Sequence, residues 1–353
     1  MNRKLTRRHA LAVSAAATTT SIAASVRGAL PEATRIDDAL IAAAKKEGKV
    51  TWYTSVDLPI AEKIAKTFEA RYAGLAVRVE RSGAERNFQR IGQEYASRIY
   101  VCDVVNSSDA AHLIVWKRQN LLAPCLPEDV ARLYPAEHRD ADGMYCSWRL
   151  TLCPIAYNTK LVKKEEAPKS YADLLDPKWA GKIVKAHPGY SGTIMTATQQ
   201  LSRDLGWQFF EQLARQRVMQ VQSAADPPKK LALGERAIMA DGTEYVVSEL
   251  KARGEPIEPV YASEGTPLVV GPSAVMARAA NPNAARLFHA WSMSLEGQQL
   301  IIDVGALRSV HPQVRDRTDR PKLGEIKLMK EDAAAVADQA DELKTRYSRI
   351  FKV

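Results

Sequence analysis

The sequence predicts an α/β fold in two domains, each built on a mixed, mainly parallel sheet flanked by helices. Three observations carry this expectation. The chain has 353 residues, and domains run to roughly 100–200 residues. Its 46% hydrophobic and 26% charged content is that of an ordinary globular protein, and no low-complexity linker or internal repeat interrupts it. The order strand, loop, helix then recurs along the first part and again along the second, as when parallel strands are joined by crossover helices.

The elements follow in order. Residues 1–29 hold Arg3, Lys4, Arg7, Arg8 and Arg27 and no acid, and Ala10 to Ala24 is a weakly apolar Ala/Thr-rich run. This layout predicts a cleaved secretory signal, and Arg7-Arg8 resembles a twin-arginine export address. Cleavage is expected after Ala23 or Ala24. Without those five basic residues the formal charge of +9 falls to +4. The other Lys and Arg are interleaved with Asp and Glu, so no basic stripe points to nucleic acid. No other stretch approaches the ~18 apolar residues of a membrane span.

Ile36 to Lys46 has helical periodicity and ends at Gly48. Lys49 to Thr54 reads as a strand, Ile60 to Ala70 as a helix, Leu75 to Val79 as a strand and Arg86 to Ser97 as a helix. Val101 to Val105 is a buried-type strand, and Asn106 to Asp109 caps the helix after it. In the second part, Leu150 to Tyr157 is extended and Tyr171 to Trp179 is a short helix and turn. A strand at Lys182 to Lys185 leads through Pro188–Thr193 into a helix ending at Leu201. Ala237 to Ala240 is a short strand, and Asp241–Glu244 opens a helix to Ala252. Ile257 to Tyr261 and Leu268 to Ala277 are extended. Pro282 to Leu295, Gly297 to Val304 and Ala333 to Ile350 are helical. Cys102, Cys125, Cys146 and Cys153 have no zinc spacing. A Cys146–Cys153 bridge and buried free thiols stay open as alternatives.

Five strand-to-helix loops carry small polar residues: Thr54–Asp57, Arg81–Gly83, Asn106–Ser108, Gly189–Thr193 and Asp241–Tyr245. In open α/β sheets such loops gather at the carboxyl ends of the strands, where ligands bind. Helix N-termini there offer free N–H groups and a positive dipole end, suited to an anion or oxygen-rich ligand. Ser, Thr and Asp also serve as ordinary N-caps, so one loop alone says little. Five of them divided between two sheets predict a cleft.

Val50–Asp57, Cys102–Ser108, Ile155–Val162, Asp173–Lys182 and the return from Gly265 to Ala277 resemble, in words and in order, the family 1 extracellular solute-binding proteins. The resemblance is to the branch that includes ferric-iron receptors and runs from about residue 48 to about 350. It implies a type II periplasmic-binding-protein fold, with residues 30–150 plus 275–353 as lobe 1 and 151–274 as lobe 2. Two crossing strands would form a hinge near Cys153-Pro154 and Thr266-Pro267. It further implies a monomeric periplasmic protein, without cofactor or catalytic residues, that delivers a small solute to an inner-membrane ABC permease.

The expected ligand-binding residues are Tyr53, Ser55, Ser82, Arg86, Ser107, Ser108, Tyr190, Ser191, Gly192, Thr193, Glu244 and Tyr245. Iron-binding members use adjacent tyrosines; here the aligned pair is Glu244-Tyr245, so an iron site would draw on Tyr190, Glu244 and Tyr245, with His187 the nearest imidazole. The favoured ligand is instead a carboxylate or phosphonate, with Arg86 as a bidentate partner. Glu244 beside an anion suggests that the ligand also bears an amine. A sensor for a membrane kinase is a third reading. A hydrolase is disfavoured: Gly189–Thr193 lacks the final Gly of a nucleophile elbow, and no Walker loop, dinucleotide fingerprint or HExxH motif is present.

Overall fold

The computed structural model describes residues 30–353; the export signal read at residues 1–29 lies outside the described residues. The chain opens with β1 (Ala33–Thr34) and α1 (Asp38–Glu47). Asp37 caps α1 by accepting from the Leu40 N–H, and Gly48 ends it at φ 74°. Then come β2 (Lys49–Thr54), α2 (Leu58–Arg71), β3 (Ala76–Arg81), α3 (Ala84–Ala96), β4 (Val104–Asn106) and α4 (Ala111–Arg118). The short β5 (Leu122–Ala123), β6 (Leu126–Pro127) and α5 (Glu128–Leu133) lead to β7 (Cys146–Leu152) and β8 (Ile155–Asn158).

The second part holds β9 (Ile183–Ala186), α6 (Gly192–Leu205), α7 (Trp207–Arg215), β10 (Met219–Val221), α8 (Asp226–Ala232), β11 (Ile238–Met239), α9 (Glu244–Ala252) and β12 (Ile257–Val260). The long β13 (Thr266–Met276), α10 (Pro282–Met293), α11 (Leu295–Gly305), β14 (Leu328–Met329) and α12 (Ala333–Phe351) complete it. Expected helix 60–70 begins earlier, at Leu58, with Pro59 tolerated in its first turn. β1, β5, β6, β10, β14, α5, α7 and α8 have no counterpart among the expected elements.

Two sheets result. In the first, β2 pairs in parallel with β3 and β4, while β13 runs antiparallel to β4, β5 and β7. In the second, the order is β10-β9-β11-β8-β12, parallel on the β10 side and antiparallel at β8. The mixed α/β architecture matches expectation, but the sheets are not mainly parallel: β13 runs against β4, β5 and β7, and β8 runs against β11 and β12, so parallel and antiparallel pairings are equally frequent in the two sheets. β7 and β13 lead from the first sheet toward the second, and the Cys153 N–H donates to the Pro267 carbonyl at 3.0 Å where they leave it.

Trp52, Phe68, Phe288 and Trp291 interlock at the centre of the larger core. A second core joins Ile155, Trp179, Ile183, Phe210 and Ile238. The C-terminal helix departs from the lobe boundaries expected from sequence. Tyr347 of α12 lies in that second core, stacked on Phe351, and its hydroxyl donates to Gln220. Earlier in α12, Val336 and Leu343 cluster with Ala111 of α4 and Met195 of α6, so the helix touches both halves. All four cysteines are free and buried.

Candidate ligand-binding site

The loops at the carboxyl ends of strands from both sheets meet around one narrow cavity. From the first half come Ser55 after β2, Arg81 at the end of β3, Ala84 at the start of α3, and Ser108 after β4. From the second come Tyr190, Ser191 and Thr193 around the start of α6, Ser223 after β10, and Thr243 and Tyr245 around the start of α9. Arg149 and Thr151 of β7 form a wall.

Arg149 sets the electrostatics. It sits in a strand buried at every position and is itself only 3% exposed. Its Nη2 donates to Ser55 Oγ at 3.2 Å, whereas Nε and Nη1 are buried without partners. Burial pushes its pKa down to about 10, which leaves the guanidinium charged at neutral pH. Unpaired buried charge is costly, and native interiors normally supply a partner. Arg81 adds a second guanidinium, held by the Val56 carbonyl and Ser223 Oγ, each at 3.3 Å. Thr243 Oγ1 is also buried without a partner. Among the described residues lining the cavity, none is Asp, Glu or His. Such a surface offers hydroxyl and guanidinium donors, plus the positive ends of α3, α6 and α9.

Contacts bridge the two halves around this cavity. The Thr193 N–H donates to Ser108 Oγ at 3.2 Å, and Thr193 Oγ1 donates to the Ser108 carbonyl at 3.4 Å. Arg86 Nη2 donates to Gln222 Oε1 at 2.9 Å, and Lys229 meets Asp57 at 3.2 Å. Gly192, at the start of α6, lies so close to Asp109 that a Cβ would overlap its carboxylate.

Of the residues expected from sequence, Ser55, Ser108, Tyr190, Ser191, Thr193 and Tyr245 line the cavity. The others lie elsewhere, for definite reasons. Tyr53 is in the core, its hydroxyl donating to Glu94 at 2.6 Å under the Arg90 guanidinium. Ser107 is tied to His112 Nδ1 at 2.9 Å, and the Ser82 N–H continues the β2 pairing through the Thr54 carbonyl. Gly192 faces Asp109, and Arg86 sits at the rim on Gln222.

Glu244 is the main correction. Both of its oxygens accept from Arg308, at 2.7 and 2.8 Å, and Tyr261 donates to it at 2.5 Å. Its charge is satisfied inside the protein, so nothing in the cavity calls for an amine on the ligand. His187 is likewise occupied: Nδ1 accepts from the Gly189 N–H, the ring packs edge-on to Tyr347, and burial lowers its pKa to about 4.

Arg149, Arg81, Thr151, Ser223 and Thr243 were not singled out as ligand contacts by the sequence reading. A signal existed for Arg149, a lone charge in Cys146-Ser147-Trp148-Arg149-Leu150-Thr151-Leu152. Apolar strand neighbours on both sides predict burial, and a buried arginine needs an anion.

The chain is similar to several proteins. A probable ABC transporter periplasmic-binding protein of Sinorhizobium fredii, y4fP, is 23% identical over 63% of this chain and 64% of its own. The matched stretches span between 30% and 64% of the length of the curated relatives. Among solved structures, the periplasmic binding protein AfuA of Actinobacillus pleuropneumoniae, with fructose-6-phosphate bound, superposes with a TM-score of 0.79 at 23% identity, covering 87% of this chain and 99% of AfuA. Iron-bound HitA of Pseudomonas aeruginosa gives 0.73 at 23% identity, over 86% and 99%. At these identities the likeness concerns the fold. The sequence profile described as "Bacterial extracellular solute-binding protein" matches residues 102–323, well over half of the sequence, and the chain belongs to that family.

Proposed function

We propose that this chain is the exported, monomeric solute receptor of an ABC importer, and that it captures a small anion whose charged end is a phosphoryl group, as in a phosphonate or phosphate ester. One observation carries the reading: Arg149 is buried with two unpartnered donor nitrogens at a cavity lined, among the described residues, by hydroxyls, a second arginine and no acid. A tetrahedral dianion matches several converging donors, and guanidinium binds it in a bidentate manner. A phosphate ester is the ligand in AfuA, which shares the fold.

Titration calorimetry of the mature protein with fructose-6-phosphate, an alkylphosphonate, inorganic phosphate, a sugar carboxylate and ferric citrate tests this. A phosphoryl compound is expected to bind, and Arg149→Met to weaken it at least about a hundredfold, because a charge-assisted pair is lost in a dry site. Binding should also fall as pH drops below ~6, where a phosphate ester loses its second charge. Tight binding by the carboxylate alone, indifferent to Arg149, sinks the reading.

HitA was solved with iron bound, so ferric citrate is the informative control. Two guanidiniums repel a trivalent cation. Burial raises the Tyr245 phenol above its ordinary pKa, with Arg149 opposing, which works against the phenolate that iron requires. Coloured, iron-loaded protein is the contrary result. Binding without turnover is the reading favoured here: Ser191 Oγ accepts from the Ile194 N–H as a helix cap, and among the described residues lining the cavity there is no imidazole to activate it. Release of phosphate from a bound ester overturns that part.

A further inference from the structure

Gly271 pairs directly across the β7–β13 ladder with Arg149, and the register shifts between Gly271 and Pro272. A Cβ on Gly271 would stand 2.9 Å from Arg149 Cγ, 3.0 Å from Arg149 Nε and 3.1 Å from the Ser107 carbonyl oxygen. None of these neighbours is the loose end of a long side chain. Cγ is the root of the arginine stem, Nε is one of its two unpartnered donors, and the Ser107 oxygen belongs to the backbone just ahead of Ser108, which lines the cavity.

We propose that Gly271 is a positioning residue for the anion site: its missing side chain lets the Arg149 stem lie across the return strand and turn the Nε edge toward the phosphoryl group of the ligand. The inference rests on the reading that Arg149 binds the ligand anion. β7 and β13 are also the strands that run between the two halves. The ligand's charge is therefore fixed to the hinge itself, and the helix starts from both sides close onto it. A glycine inside a strand is ordinarily a weak point, whereas here a methyl group would fit only by displacing the Arg149 stem.

The test is a double-mutant cycle read by titration with fructose-6-phosphate and with inorganic phosphate. Gly271→Ala is expected to lower affinity by at least about tenfold. In the Arg149→Ala background, where the stem is gone, adding Gly271→Ala should cost nothing further. Losses that add in full would make Gly271 a structural residue and overturn the inference. Wild-type affinity in Gly271→Ala overturns it too, while an Arg149→Ala affinity weakened about a hundredfold but still measurable keeps the anion reading intact. If neither these probes nor an alkylphosphonate binds the wild-type protein, the anion reading fails and takes the inference with it. Should Gly271→Ala not fold, the double variant decides. Folding restored once Arg149 is shortened supports the close-packing origin, and failure to fold there as well refutes it.

Discussion

A carboxylate at the start of a helix reads from sequence as a group free to meet a ligand, and Glu244 shows how that reading goes wrong. Its partner, Arg308, lies 64 residues further along, and no local pattern announces the pairing. Both side chains are about 2% exposed. Glu244→Gln removes the charge that Arg308 needs while keeping the shape. It should lower unfolding stability by about 3–5 kcal/mol in urea denaturation, the usual cost of breaking a buried pair. An unchanged midpoint contradicts the assignment. Arg86 errs in the same way: the sequence places it on the ligand, and the structure places it on Gln222 at the rim. A single exposed hydrogen bond is worth at most about 1.5 kcal/mol. Arg86→Ala should therefore weaken ligand binding by no more than about tenfold, whereas abolished binding returns Arg86 to the cavity.

At the level of elements, periodicity was a good guide wherever a segment was long and capped by ordinary chemistry. β2 occupies Lys49–Thr54 as expected, and α9 runs from Glu244 to Ala252. Two of the omitted elements have weak or conflicting local signals. α8 begins Asp226-Pro227-Pro228, which reads as a break, yet its prolines fall in the first turn, where no N–H is required. β10 is only Met219–Val221 and exists because β9 pairs beside it. The five polar loops were legible as helix starts, but which of their side chains turn inward depends on how the halves meet. That meeting is tightest at α6, where Gly192 abuts Asp109. Gly192→Ala should wedge the halves apart. Small-angle scattering of the ligand-saturated variant should give a larger radius of gyration than ligand-saturated wild type, with weaker ligand binding. Identical scattering contradicts the wedge.

On the scale of the whole molecule, the sequence conveyed two sheets and a pair of crossing strands but not the course of α12, whose apolar face fits either half equally well on paper. The approach to α12 carries Glu331, which ties three regions together. Its Oε2 accepts from the Val270 N–H of β13 at 3.0 Å, and its Oε1 is buried without a partner. Burial raises its pKa to about 8, opposed by the Val270 hydrogen bond and reinforced by Asp109. An unfolded glutamate titrates near ~4.3. Between those values the folded protein holds a proton that the unfolded chain has lost, so this group makes stability fall as pH rises from ~4.3 to about 8, and adds no slope beyond. Glu85, lowered to about 2 by His112 and Lys344 in spite of its burial, acts in the opposite sense and only in acid. Glu331→Gln should therefore flatten the decline in melting temperature from pH 5 to pH 8 and leave the variant more stable than wild type at pH 8. Parallel melting curves for the two proteins across that range would mean that the carboxyl is hydrated and ionised, and that the junction of return strand, first-half loop and α12 is open to water.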